Sequence, residues 1–120
     1  MKTLKILGDE LRNIGINAEY ESWTGKIPNQ YWVYTYIESD NSHETSCKEG
    51  VIILDGFSRN GISALEDEND KIIEHFMDYR KTVDNTTVYL GSATGQEIDN
   101  TKDSELKRIE INIDFKEWRY

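Results

Sequence analysis

Acid–base or nucleophilic chemistry needs a histidine, cysteine or carboxylate held against a partner group. This chain of 120 residues has two histidines and one cysteine. His43 and Cys47 lie four apart and share a face if both sit on an extended strand. Strand rise then separates them by about 13 Å, too far for a Cys–His pair in contact. His75, beside Phe76, reads as a surface or helix-end histidine rather than a ligand. Glu19 and Glu21 share a strand face, a spacing common on exposed strands of acidic proteins. Asp67-Glu68-Asn69-Asp70 has the density of a calcium loop but lacks the required glycine and terminal bidentate glutamate, so helix N-terminal charge explains it better. There is no Cys/His cluster of zinc spacing, no HExxH, no phosphate-binding glycine loop and no GxGxxG. Asn85-Thr86-Thr87 matches a glycosylation sequon by coincidence if no signal peptide precedes it. No catalytic residue, cofactor or metal is assigned, and an enzyme is not expected.

Charge narrows the partners. Lys and Arg number 14 against 23 Asp and Glu, a net charge of −9. Residues 1–60 carry 6 basic and 9 acidic side chains, and residues 61–120 carry 8 and 14. DNA binding draws on cations that neutralise phosphates, and no basic run supplies them, so neither sequence-specific nucleic-acid binding nor an anionic membrane is expected. The longest apolar run, Val51-Ile52-Ile53-Leu54, is far below the roughly 20 residues of a spanning helix. Asp9 and Glu10 arrive before a signal-peptide apolar region can form, and one cysteine fits a reducing compartment. The length suits one domain, residues 1–120, with a modest core.

The elements that would position these groups follow from periodicity. Leu4, Leu7, Leu11 and Ile14 line one face of a helix over residues 2–14, stopped by Gly15. Ile16, Ala18 and Tyr20 alternate with polar residues as a strand ending near Trp23, and Thr24–Asn29 is turn chemistry around Pro28. Tyr31–Ile37 is the strongest strand, with Tyr31, Val33, Thr35 and Ile37 on one face and Trp32, Tyr34 and Tyr36 on the other. Glu38–Gly50 reads as a long polar hairpin with its tip at 39–42. A return strand runs from about Glu44 to Phe57, with Gly50 and Gly56 as bulges or bends. Ser63 to Glu66 has capping-box spacing and opens a helix over about 64–79, its stripe formed by Leu65, Ile72, Ile73, Phe76 and Met77. Arg80 and Lys81 would then close that helix. Thr86–Leu90 is a short β segment, 91–105 a long exposed loop, and Ile109–Phe115 a final alternating strand. The order α-β-β-β-α-β-β with local antiparallel pairing implies an α+β domain, a mainly antiparallel sheet of four to five strands with two helices on one face.

Two helices cannot cover both faces of such a sheet, yet the Tyr31–Ile37 strand carries large groups on both. Either a folded-over hairpin covers the second face, or that face or the sheet edge meets another subunit, because Trp and Tyr concentrate at interfaces.

Several stretches together resemble a family. Ile27-Pro28-Asn29-Gln30-Tyr31-Trp32-Val33-Tyr34 leads to a polar hairpin containing His43-Glu44-Thr45-Ser46. Gly50-Val51-Ile52-Ile53-Leu54-Asp55-Gly56-Phe57-Ser58-Arg59, an amphipathic helix and the closing Ile109–Phe115 strand follow. This pattern is similar to the tail terminator, or tail completion, proteins of long-tailed bacteriophages and prophages of Gram-positive bacteria. The resemblance implies an α+β virion subunit, assembled in the bacterial host cytoplasm and placed at the head–tail junction. Its implied partners are copies of itself in a hexameric ring, the major tail tube protein and a head-completion or connector protein. It implies a candidate subunit interface at Tyr31, Trp32, Tyr34, Tyr36, His43, Thr45, Phe57 and Arg59, and no catalytic residue. Two other readings fit the residues: a small acidic binding module of immunity or inhibitor type, and a neighbouring neck component such as a head-closure protein.

Overall fold

A computed structural model describes residues 1–39, 47–98 and 105–119. The first helix, α1, spans Lys2–Asn13 and buries Thr3, Ile6, Leu7 and Leu11. Gly15, at φ +84°, takes the left-handed backbone that turns the chain out of it. Strand β1, Ala18–Tyr20, follows. Then come β2 over Gln30–Glu38 and β3 over Cys47–Ser58. The second helix, α2, spans Ile62–His75. Three strands complete the chain: β4 at Asp78–Val83, β5 at Thr86–Ile98 and β6 at Lys107–Arg119.

The strands form one six-stranded sheet in the order β1-β2-β3-β6-β5-β4, curled into a half-barrel. Alternation decides its faces. Trp32, Tyr34, Ile52, Leu54, Val88, Leu90, Ile109, Ile111, Ile113 and Phe115 point inward and join Leu7, Leu11, Leu65, Ile72 and Phe76 of the helices in one core. An α+β fold with two helices and a largely antiparallel sheet is thus present.

Several details differ from expectation. The sheet has six strands, and β1 pairs with β2 in parallel, Ala18 opposite Trp32 and Tyr20 opposite Tyr34, where antiparallel pairing was expected. The return between them is the loop 21–29, pinned to β1 because Thr24 donates from both its backbone N–H (2.8 Å) and its hydroxyl (3.1 Å) to the Glu19 carboxylate. Glu19 is therefore a loop anchor, while Glu21 has left the strand at φ 64°.

α2 ends at His75 rather than near residue 79. Arg80 and Lys81 belong to the edge strand β4, and Arg80 lies over the Tyr89 ring at 5.7 Å. The capping box does not form: the cap position is Gly61 at φ +98°, no side chain caps it, Ser63 is already inside the first turn, and that turn holds no acidic residue, so neither Glu66 nor Asp67–Asp70 charges the helix N-terminus. Met77 is exposed rather than part of the stripe.

Much of the expected 91–105 loop is strand. β5 continues to Ile98, pairing Gly95 with Ile111 and Glu97 with Ile109 after an irregularity between Gly91 and Thr94. Gly50 and Gly56 mark no bulge, since β2–β3 and β3–β6 run in unbroken register. They are instead points of close approach. A Cβ on Gly56 would stand 2.6 Å from the Trp32 indole carbons, and one on Gly50 would stand 2.9 Å from the Phe115 ring. The hairpin tip and the start expected for the return strand at Glu44 lie outside the described residues.

Candidate interface on the helix-free sheet face

Both helices lie on the inner face, so odd-numbered side chains of β2 and β3 and even-numbered ones of β6 form an outer face that no helix among the described residues covers. The register stacks them in rows. Tyr31 is opposite Phe57, and Phe57 opposite Arg108. The next rows are Val33, Asp55 and Glu110, then Thr35, Ile53 and Asn112, then Ile37, Val51 and Asp114. Tyr31, Val33, Ile37, Val51, Ile53 and Phe57 make an apolar band about 20 Å long at strand rise. Val33, Val51 and Ile53 are half-buried by their neighbours, and Ile37 is 61% exposed.

One end of the band is built from rings. Trp23 packs on Tyr31 (5.5 Å, tilted), Tyr31 stacks on Phe57 (5.2 Å), and the Arg108 guanidinium lies 5.8 Å from the Phe57 centroid. Asp55 holds that guanidinium at 2.7 Å, and Glu110 stands 3.7 Å away. The row is aromatic and amphipathic, the composition that contributes most at protein interfaces. Beside Tyr31 a cleft of about 220 Å³ is lined by Ile27, Pro28, Asn29, Arg59 and Leu106. Ile27 is 60% exposed there.

The structure divides the expected interface set. Tyr31, Phe57 and Arg59 come together on or beside the band. Trp32, Tyr34 and Tyr36 point to the opposite face. Trp32 is fully buried and donates its indole N–H to Glu68 (3.1 Å), which also accepts from Gln30 (2.5 Å). Tyr34 meets Tyr20 edge-on, and Tyr36 meets Phe115 edge-on. His43 and Thr45 lie outside the described residues. Sequence reasoning missed Trp23, Val51, Ile53 and Arg108. The run Val51–Leu54 did signal a strand apolar on both faces, but nothing local announced that Trp23 would fold back onto Tyr31.

Among the described residues, one cluster of ionisable side chains away from this face links three elements. His75 Nε2 lies 3.0 Å from Glu10 Oε2, and the Tyr79 hydroxyl donates to Glu10 Oε1 at 2.7 Å. Tyr79's hydrogen bond, helped by His75, holds the Glu10 carboxyl below its ordinary value against the opposing effect of burial. Burial and then Glu10 push the Tyr79 hydroxyl upward. Together these three side chains join α1, α2 and β4. Among the described residues no group of three or more His, Cys, Asp or Glu is placed to hold a metal ion. No helix among them is long and apolar enough to cross a membrane.

No protein-family model matches the sequence, and no curated protein matches it. A solved structure is similar to this chain with a TM-score of 0.71 at 10% identity, covering 99% of this chain and 96% of the other. That likeness shows a shared fold along the length of both.

Proposed function

We propose that this chain is a structural subunit of tail terminator type. It forms a ring at the end of a phage tail tube, ends the tube's growth and offers the surface that joins the head. The observation that carries this reading is the apolar band on the helix-free sheet face, anchored by the Trp23–Tyr31–Phe57–Arg108 row. A sheet face with that composition gains by being covered, and a row of packed rings offers a shaped surface to what covers it. The band is laid against the end of the tube, and the ring face turned away from the tube no longer recruits tube subunits. The resemblance of the sequence to terminator proteins supplies the identity of the partners.

The test is a tube-growth assay. Purified chain added to polymerising major tail protein should stop elongation at substoichiometric amounts. Tubes that grow at the same rate and to the same lengths with and without it would overturn the proposal.

A further inference from the structure

The sheet ends in two unlike edges. β1 is three residues long, and a strand that short offers little backbone to pair with. β4, at the other end of the order, has six residues, Asp78–Val83, in unbroken register with β5. The two-residue turn Asp84-Asn85, with Asp84 at φ 55°, makes Val83 and Thr86 a hydrogen-bonded pair. Alternation then points the backbone groups of Lys81 and Tyr79 at β5. It points the N–H and C=O groups of Asp78, Arg80 and Thr82 away from the sheet. No other described strand lies on that side.

The side chains of β4 leave this edge clear. Arg80 lies back over the Tyr89 ring at 5.7 Å, and the Thr82 and Thr87 hydroxyls share a hydrogen bond at 2.9 Å. Tyr79, Lys81 and Val83 are on the α1 side. Tyr79 donates to Glu10 at 2.7 Å, and Lys81 is among the charges that act on Glu10. On that same side, between β4 and α1, a cleft of about 410 Å³ has Ile6 and Val83 as its apolar lining. The charges at its rim are already paired: Lys2 is bonded to Asp84 (2.9 Å) and Lys5 to Asp9 (3.3 Å). A strand laid along β4 would send alternate side chains to the α1 side, toward this cleft.

We propose that the β4 edge and the α1–β4 cleft together dock one extended segment of a different protein, added as a seventh strand with aliphatic side chains at alternate positions. The occupant follows from three features. The outward groups of Asp78, Arg80 and Thr82 repeat every second residue, and only an extended backbone matches that repeat. A charged side chain in the cleft would give up water and find its counter-ions already bonded, whereas Ile6 and Val83 favour an aliphatic one. Size argues against a second folded copy. The edge is about 20 Å long and one strand wide, well below the roughly 1,000 Å² that a stable interface between folded proteins buries. This site needs neither the outer-face band nor the terminator reading, because it stands on the edge and the cleft alone.

The probe is a synthetic peptide, acetyl-Ser-Val-Thr-Val-Thr-Val-Ser-amide, titrated into the full chain and followed by amide NMR. It should bind with a Kd of about 1 mM or tighter. Shifts should centre on Asp78–Val83 and Ile6, and the amides of Asp78, Arg80 and Thr82 should gain protection from hydrogen exchange. Affinity should change less than twofold between 20 and 200 mM NaCl, because backbone groups rather than charges carry it. The same peptide N-methylated at alternate residues, on the edge turned to β4, should bind at least tenfold more weakly. Arg80→Pro removes an outward donor and leaves the bonds to β5 in place, so it too should weaken binding at least tenfold. Val83→Glu puts a charge in the cleft and should act in the same direction; circular dichroism verifies that both variants fold. Absence of binding at about 2 mM peptide would overturn the proposal. So would full affinity in the methylated peptide or in folded Arg80→Pro, or shifts centred on Tyr31 and Phe57 instead. A wild-type dimer in sedimentation that Arg80→Pro abolishes would overturn the occupant, showing that a second copy takes the edge.

Discussion

Glu117 of β6 caps the N-terminus of α1 from 114 positions away: one carboxylate oxygen accepts from both the Thr3 backbone N–H and the Thr3 hydroxyl, each at 2.8 Å. The helix has no side-chain cap of its own at Met1 and no acidic residue in its first turn. A buried carboxylate at that end satisfies an orphan donor and opposes the helix dipole, so it ties the first element of the chain to the last strand. Replacing it by alanine should cost about 1–3 kcal/mol, the net worth of its two hydrogen bonds to Thr3. Urea unfolding measures this, and a loss below about 0.5 kcal/mol would contradict the capping role.

The Glu10–Tyr79 bond has a pH signature. Glu10's folded pKa is depressed, so its contribution is fully present above the ordinary glutamate value of about 4.3 and is lost as pH falls through the folded value. Tyr79 runs the other way: its pKa is raised, so its contribution is present below about 10 and lost on going more alkaline. Tyr79→Phe should therefore destabilise the chain by about 1 kcal/mol at pH 7. That gap should narrow as pH falls below 4, and carboxyl NMR should show Glu10 titrating higher. A gap constant from pH 7 to pH 2 would contradict the assignment.

Gly56 is where the sheet makes room for Trp32. An added methyl would press on the indole and strain its hydrogen bond to Glu68. Gly56→Ala should lose about 1–3 kcal/mol, the usual cost of overpacking, with a shift in tryptophan emission. Unchanged stability and emission would show that the indole moves aside freely.

The band separates folding from assembly. Ile53→Arg places a charge on the half-buried outer face, where the arginine head reaches water, so thermal stability should fall only modestly, by about 1 kcal/mol or less. Activity in the tube-growth assay should drop at least tenfold. A variant that folds and still stops growth at wild-type amounts would show that the band is not the contact.

Residues whose neighbours are close in sequence announced their structure. The Leu4–Leu7–Leu11 stripe and the alternation of Ile109, Ile111 and Ile113 each fixed an element and its buried face. Tyr79–Val83 was harder to see. Arg80 and Lys81 suit a helix end as well as an edge strand, and only pairing with Thr86–Gly91 chooses between them. The polar Thr94–Glu97 segment is strand because β6 offers its backbone groups, and side-chain type carries no trace of that. The candidate interface was half legible. Tyr31 and Phe57 were visible as aromatics on strands, but which face the helices leave open depends on α1 and α2 packing together on the other side.

The account stands or falls on control of tail length. In lysates of a phage that lacks this chain but carries every other tail gene, negative-stain electron microscopy should show tubes of widely scattered length without heads. Restoring the wild-type chain in trans should return a single length with heads attached. Tails of uniform, normal length joined to heads in its absence would contradict the account.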